Sequence, residues 1–189
     1  MNSIATRQAS TAVSGPPRYH GWQVAGLGLL ANLFSATGPR PRRQGEFYER
    51  LKRPAWAPPA WAFGPAWAIN NAATLWADLR LLNLPPDTPK RRELLWLQGA
   101  GWVLFSTYSR AAFGTQSNVL SFLWSGSYWL VTLASTLLGR KVDRKFALAH
   151  IPLLTWLTLA TALSAYIMVN NPDPLFGIPA PRRSRVPAA

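Results

Sequence analysis

Uncharged, apolar stretches alternate along this chain with short segments dense in Arg, Lys and Pro. Five of them approach or reach the length a helix needs to cross a bilayer: 22–37, 55–77, 94–109, 119–138 and 146–169. A hydrocarbon core of ~30 Å takes about 20 mostly apolar residues in helical form. The first stretch is short and would borrow His20 and Gly21. The second holds Pro58, Pro59 and Pro65, so its helix should begin between Trp61 and Pro65, where proline suits a first turn. The third is closed by Arg110. The last is interrupted only by His150, Pro152 and a few hydroxyls. A soluble helical bundle would carry charged outer faces at 3.6-residue spacing, and these stretches carry none. The pattern predicts an all-α fold, an integral membrane bundle of five transmembrane helices with the lipid bilayer as its first partner.

Loop chemistry separates the runs. Residues 84–89 (Leu-Pro-Pro-Asp-Thr-Pro) read as a stiff turn, with Thr88 the expected N-cap of the third helix. Residues 139–145 make a short basic connection, and 170–174 end the last helix. The bundle is expected over 21–171, between a flexible tail at 1–20 and a flexible basic tail at 172–189. The 20 Lys and Arg divide evenly between the two sides, so the positive-inside rule assigns no orientation.

Composition sharpens this picture. Mean hydropathy is only +0.01 and net charge is +13, because basic loops dilute the apolar runs. Lys and Arg lie between the runs instead of lining a groove beside polar readers, so nucleic acid is not an expected partner. Cysteine is absent, which removes disulfides, thiolate metal sites and a cysteine nucleophile. No acid lies within the apolar runs, and H-E-x-x-H, C-x-x-C and phosphate-loop motifs are missing. No catalytic residue, metal or required cofactor is therefore expected. The first 20 residues lack an apolar signal core, and the Ala- and Arg-rich composition suits a bacterial cytoplasmic membrane.

The most informative segment runs from Phe47 to Trp67 and reads F-Y-E-R-L-K-R-P-A-W-A-P-P-A-W-A-F-G-P-A-W. Such density of aromatics and prolines points to a shaped, rigid entry into a membrane helix, although Trp also serves as an interfacial anchor. The segment resembles the signature of the tryptophan-rich sensory or translocator family (TspO, the peripheral benzodiazepine receptor family). Phe47, Tyr48, Leu51, Arg53 in place of the usual Lys, Pro54, Trp56, Pro58, Pro59, Trp61, Phe63, Gly64, Pro65 and Trp67 carry the match. A second element is represented by Pro152, Trp156, Leu159, Ala160 and Leu163. Departures fall at Asn70-Asn71, Gly99, Leu153 and Ser164, and an insertion lies near 110–113.

The resemblance implies five helices around a hydrophobic pocket, with the proline-rich loop (Pro54, Trp56, Pro58, Pro59, Trp61) as its lid. By motif, the ligand-binding walls would be Phe63, Gly64 and Trp67, then Trp102, then Trp156, Ala160 and Leu163. The last three share one helical face at i, i+4 and i+7. Packing of small against large residues explains the same pattern without a ligand. The implied ligands are flat tetrapyrroles, porphyrin or haem, or similar hydrophobic small molecules and lipids, with Arg50, Lys52 or Arg53 available to propionates. His150 is a conceivable haem ligand but more readily a packing residue. Asn70 and Asn71 should face the bundle or a polar pocket, because lipid leaves amides unpaired. The resemblance leaves three roles in competition. One is a binding protein, transporter or sensor with a regulatory function. Another is an accessory subunit of a larger, pigment-handling membrane complex. The third is a light-dependent porphyrin-degrading enzyme. A homodimer is a further implication, although Gly26, Gly28, Gly99 and Gly101 form no G-x-x-x-G interface.

Overall fold

A computed structural model describes residues 18–179 of the chain; the tails at 1–17 and 180–189 lie outside the described residues. The described part is helical. Helix α1 (Gly21–Ser35) is followed by α2 (Pro41–Arg50), and a single 3-10 turn (Ala60–Ala62) leads into α3 (Phe63–Asn83). Helix α4 (Arg91–Tyr108) runs on into a π-helical turn (Ser109–Gly114). Then come α5 (Asn118–Gly139), α6 (Arg144–Ala149) and α7 (Ile151–Asn170).

The five apolar runs correspond to α1, α3, α4, α5 and the pair α6–α7. Gly21 opens α1, and Pro65 sits in the first turn of α3. Thr88 is not the N-cap of α4. The chain first makes a turn in which the Thr88 carbonyl accepts from Arg91 N at 3.1 Å, and Lys90, at φ 67°, takes the cap position. Arg91 then reaches back to the Leu81 and Leu82 carbonyls at 3.1 and 2.9 Å, covering acceptors left open at the end of α3. Helix α2 lies in what the apolar pattern marks as a loop. Its sequence P-R-R-Q-G-E-F-Y-E-R is too polar to register as a span, yet it is amphipathic and buries Tyr48.

Only one helical stretch among the described residues, Arg144–Asn170, is both long and apolar enough to pass as a membrane span by length and composition. The others fall short for identifiable reasons. Helix α1 has 15 residues. Helix α3 extends past its apolar run to include Asp78, Arg80 and Asn83, α4 opens with Arg91, Arg92 and Glu93, and α5 is rich in Ser and Thr.

Helix α5 packs along both α4 and α7, α1 leans on α3 and α4, and α3 is also covered by α6 and α7. Three apolar clusters result. Ala77, Leu81, Leu84, Leu94 and Phe146 close one end, Phe105, Tyr128, Leu153 and Leu157 fill the middle, and Tyr48, Leu163 and Ile167 gather under α2. Gly28 and Gly139 allow close approach between helices. A Cβ on Gly28 would lie 2.8 Å from Leu75 Cδ1, and one on Gly139 would lie 2.5 Å from the Phe146 ring. Gly28 thus serves α1–α3 packing within one chain.

The end of α7 is not the start of a loose tail at 172, as the composition suggests. Asp173 is 1% exposed and pairs with Ile178 through reciprocal backbone hydrogen bonds of 2.9 and 3.0 Å. Its carboxylate accepts from Ser117 Oγ (2.7 Å), Val119 N (2.8 Å), Leu175 N (3.0 Å) and Phe176 N (3.1 Å). Burial pushes this carboxyl upward, but the four donors outweigh it and hold the group below the usual carboxylate range. The stabilisation is therefore complete above the ordinary Asp value and disappears as pH falls through the depressed one. Replacing Asp173 by Asn should cost about 2 kcal/mol at pH 7. The Tm difference between wild type and Asp173→Asn should close as the pH is lowered below about 4; a difference independent of pH would contradict the assignment.

Candidate functional site

Where α1, α2, α3, α4, α5 and α7 diverge, they frame a partly open cavity of ≈ 450 Å³, within the range of small-molecule sites. Its wall is mainly aromatic and apolar. Phe63, Gly64 and Trp67 come from α3, Phe105 and Tyr108 from α4, Tyr128 from α5, and Trp156, Leu157 and Ala160 from α7. The polar minority sits toward α1 and α2, with Asn32, Ser35 and Gln44, while Ser109 of the π turn and Ser125 of α5 add hydroxyls.

The aromatic side chains brace one another. The Tyr48 ring meets Phe63 edge-on at 5.2 Å, and Phe63 meets Trp156 edge-on at 5.4 Å. Trp67 lies parallel to Tyr128, with centroids 6.3 Å apart and planes within 8°. Phe105 packs against Trp67 at 5.2 Å and against Trp102 at 5.6 Å. Edge-on and offset contacts of this kind hold ring planes in fixed orientations. Small Ala160 and Gly64 leave room between those rings, as a flat occupant would require.

Five of the seven residues expected on the ligand walls therefore meet at this cavity: Phe63, Gly64, Trp67, Trp156 and Ala160. Trp102 and Leu163 do not line it. Trp102 turns its indole N–H to Asp78 Oδ2 at 2.7 Å, one layer deeper in the bundle. Leu163 is buried beneath α2 against Tyr48 and Ile167. One helical face thus carries Trp156 and Ala160 to the cavity and Leu163 to the packing below α2.

The proline-rich loop contributes to the cover differently from its expected role. Of this loop only Ala60 reaches the cavity wall; Pro54, Trp56, Pro58, Pro59 and Trp61 do not, and Trp61 is 75% exposed. The cover is α2 with its leading prolines: Pro39, Pro41, Gln44, Gly45 and Tyr48 all face the cavity. The loop buttresses α2 from outside, since the Tyr48 hydroxyl donates to the Pro58 carbonyl at 2.8 Å. Burial raises the Tyr48 phenol above its ordinary value despite the opposing pull of Arg53, whose guanidinium lies 4.6 Å over the ring. The hydroxyl therefore remains a donor across the neutral range. Lys52 ties the same loop to α7, its backbone N–H donating to Asn171 Oδ1 (2.7 Å) and its carbonyl accepting from Asn171 Nδ2 (3.0 Å). Arg50 and Lys52 are exposed, and with Arg53 they stand outside the cavity wall.

Asn70 is buried, with an amide nitrogen that has no partner among the described residues. Asn71 comes within 3.5 Å of Asn32, which does line the cavity. Neither Asn70 nor Asn71 lines it directly. His150 is occupied elsewhere. Its Nδ1 is 3.0 Å from the Phe146 carbonyl and its Nε2 3.0 Å from Gln98 Oε1, so both ring nitrogens are engaged away from the cavity. The residues near 110–113 form the π turn, which carries Ser109 and Phe113 onto the cavity wall and leaves Arg110 exposed above the Phe34 ring at 4.2 Å. Such turns accommodate an extra residue within a helix and recur at functional sites.

The apolar pattern missed two contributors. Asp78 falls one residue beyond the apolar run, although α3 continues through it. Tyr48 belongs to the aromatic motif, but nothing in the motif shows that its helix roofs the cavity.

Comparison with known proteins fits this geometry. Residues 23–169 match the model of the TspO/MBR family. The chain belongs to the TspO/MBR family. The tryptophan-rich protein TspO of Chlorobaculum tepidum is 27% identical over 154 residues, covering 77% of this chain and 93% of that protein. Protein CrtK of Rhodobacter capsulatus is 28% identical over 132 residues, covering 68% of this chain and 80% of its own length. Members of the TspO/MBR family are membrane proteins, in general sensors or transporters.

The cover of this TspO/MBR member can be tested through its brace. Tyr48→Phe removes the bond to Pro58 and should cost about 1 kcal/mol. Limited trypsinolysis after Arg50 and Lys52 should then run several-fold faster than in wild type. Unchanged cleavage would show that the loop is held by Asn171 alone.

Proposed function

We propose that the protein binds a flat hydrophobic molecule of the tetrapyrrole class, porphyrin or haem, within a five-span membrane bundle, and acts there as a sensor or carrier. The observation that carries the reading is the cavity itself: braced aromatic planes of Trp67, Phe63 and Trp156 beside the small residues Gly64 and Ala160. Ring stacking supplies contact area to a planar ligand. The hydroxyl and amide groups of Ser35, Gln44 and Ser109 form the polar end, where ligand carboxylates would be received.

Five crossings are supported by where large apolar side chains are left exposed. Trp22, Leu27 and Leu30 on α1, Ile69 on α3, Trp96 and Val103 on α4, Leu130 on α5 and Val169 on α7 are each 60% exposed or more. A water-soluble chain of this size would not leave such residues uncovered on every long helix, whereas lipid accepts them. Helix α1, at 15 residues, would cross with little tilt or draw the bilayer in.

The direct test is quenching of tryptophan fluorescence by protoporphyrin IX in detergent, for wild type, Trp156→Phe and Ala160→Phe. Wild type should quench saturably, and Ala160→Phe, which puts a ring into the slot, should weaken binding by about tenfold or more, ~1.4 kcal/mol. Equal, non-saturating quenching in all three would mean that porphyrin only partitions into the micelle, and the ligand reading would fall.

A further inference from the structure

We propose that Asp78 is a proton-binding site inside the helix bundle, linked through Trp102 to whatever occupies the large cavity. Asp78 sits in the middle layer of α3, only 8% exposed. Its Oδ2 accepts one hydrogen bond, from Trp102 Nε1 at 2.7 Å, and its Oδ1 has no partner among the described residues. A bare carboxylate with one neutral donor is among the most costly groups to place at membrane depth. The neutral acid is the less costly form: Oδ2, as the carbonyl oxygen, accepts from the indole, and Oδ1 carries the proton, leaving one unpaired O–H in place of a full charge.

The surrounding charges offer no alternative counter-ion. On α3, Arg80 is held by Asp143, at the start of α6, at 2.6 Å. On α4, Arg91 is spent on the Leu81 and Leu82 carbonyls, while Lys90 pairs with Glu93 at the surface and Arg92 is exposed. Arg144 and Lys145 of α6 are exposed, and the ring nitrogens of His150 are bound to Phe146 and Gln98. Helix α1 carries no ionisable side chain; α5 offers only Tyr128, and α7 only Tyr166.

Trp102 connects two spaces. It walls a void of ≈ 10 Å³, about the size of one water, in which Thr74, Gln98, Thr132, Ser135 and His150 face Leu97, Val131 and Leu153. On its other side, Phe105 stands edge-on to Trp102 at 5.6 Å and packs on Trp67 at 5.2 Å. Trp67, Phe105 and Tyr128 line the large cavity, and Tyr128 lines the void as well. A ligand that displaces Trp67 therefore pushes on Phe105 and Trp102, and so on the one hydrogen bond Asp78 has. This coupling rests on the ligand reading above; the proton site does not.

The experiment is infrared spectroscopy at pH 7 in nanodiscs, on wild type, Asp78→Asn, Asp78→Glu and Trp102→Phe. A deuterium-sensitive carboxylic-acid C=O band should be present in wild type, absent in Asp78→Asn and displaced in Asp78→Glu. In Trp102→Phe, which removes the donor, it should move to higher frequency. Protoporphyrin IX should shift the band over the concentrations that saturate quenching, after subtraction of the same titration of Asp78→Asn. If the wild-type minus Asp78→Asn difference shows carboxylate bands alone, Asp78 is ionised and the proton site is overturned. Saturable quenching with an unmoved acid band overturns the coupling. Absence of saturable quenching defeats the cavity reading and the coupling with it, while the acid band still decides the proton site.

Discussion

Several polar side chains on the long helices of this protein pair across to a neighbouring helix, and those pairings fix how the helices meet. Three of them cross the seam between α4 and α5. Gln98 donates to Ser135 Oγ at 3.1 Å, the Tyr108 and Ser121 hydroxyls meet at 2.9 Å, and Trp124 Nε1 donates to Thr107 Oγ1 at 2.9 Å. On the α5–α7 side, Trp129 Nε1 donates to Thr158 Oγ1, also at 2.9 Å. Such bonds are each worth only about 1 kcal/mol where the medium is lipid, but they fix rotation and register in a way apolar packing alone does not. The large cavity opens beside these seams, and Tyr108, Ser125 and Tyr128 belong to both.

The same economy governs the helix ends. Asp143 accepts from Lys145 N and Phe146 N to start α6 while holding Arg80 of α3. Asn171 grips the Lys52 backbone, and Asp173 gathers Ser117, Val119 and the turn that follows α7. Each clamp is a short Asp or Asn side chain that binds a distant segment, through the Arg80 guanidinium at Asp143, the Lys52 backbone at Asn171, and Ser117 Oγ and Val119 N at Asp173, so segments far apart in sequence are fixed relative to one another. The roof formed by α2 depends on this, because its only buried residue is Tyr48. The aromatic-proline loop does not close the cavity itself; it holds the helix that does.

The apolar runs alone made the all-helical fold and the main helix boundaries legible, since uninterrupted apolarity with proline at the edges leaves few alternatives. Most of the cavity wall was legible from the motif, where Phe63, Gly64, Trp67, Trp156 and Ala160 recur at fixed spacing. What stayed hidden has a common cause. Helix α2 is polar enough to read as loop, and its function comes from one buried tyrosine. Asp173 lies in a Pro- and Gly-containing segment whose order comes from bonds to residues 117 and 119, more than 50 positions away. Trp102 could be placed on its helix but not aimed, because its direction is set by Asp78, which lies beyond the apolar run.

Asp78 can be kept at depth only if a donor meets it, and Trp102 is that donor. An indole committed to this bond faces the small void and not the large cavity. Trp67 and Phe105 line the large cavity, Trp102 lines the small void, and Tyr128 lines both. Asn70, one helical turn before Thr74 and two before Asp78, extends the polar line along the buried side of α3. A helix that turns Asn70, Thr74 and Asp78 inward while leaving Ile69 and Trp76 exposed is built to keep polar groups inside the bundle, next to the site where a ligand would press.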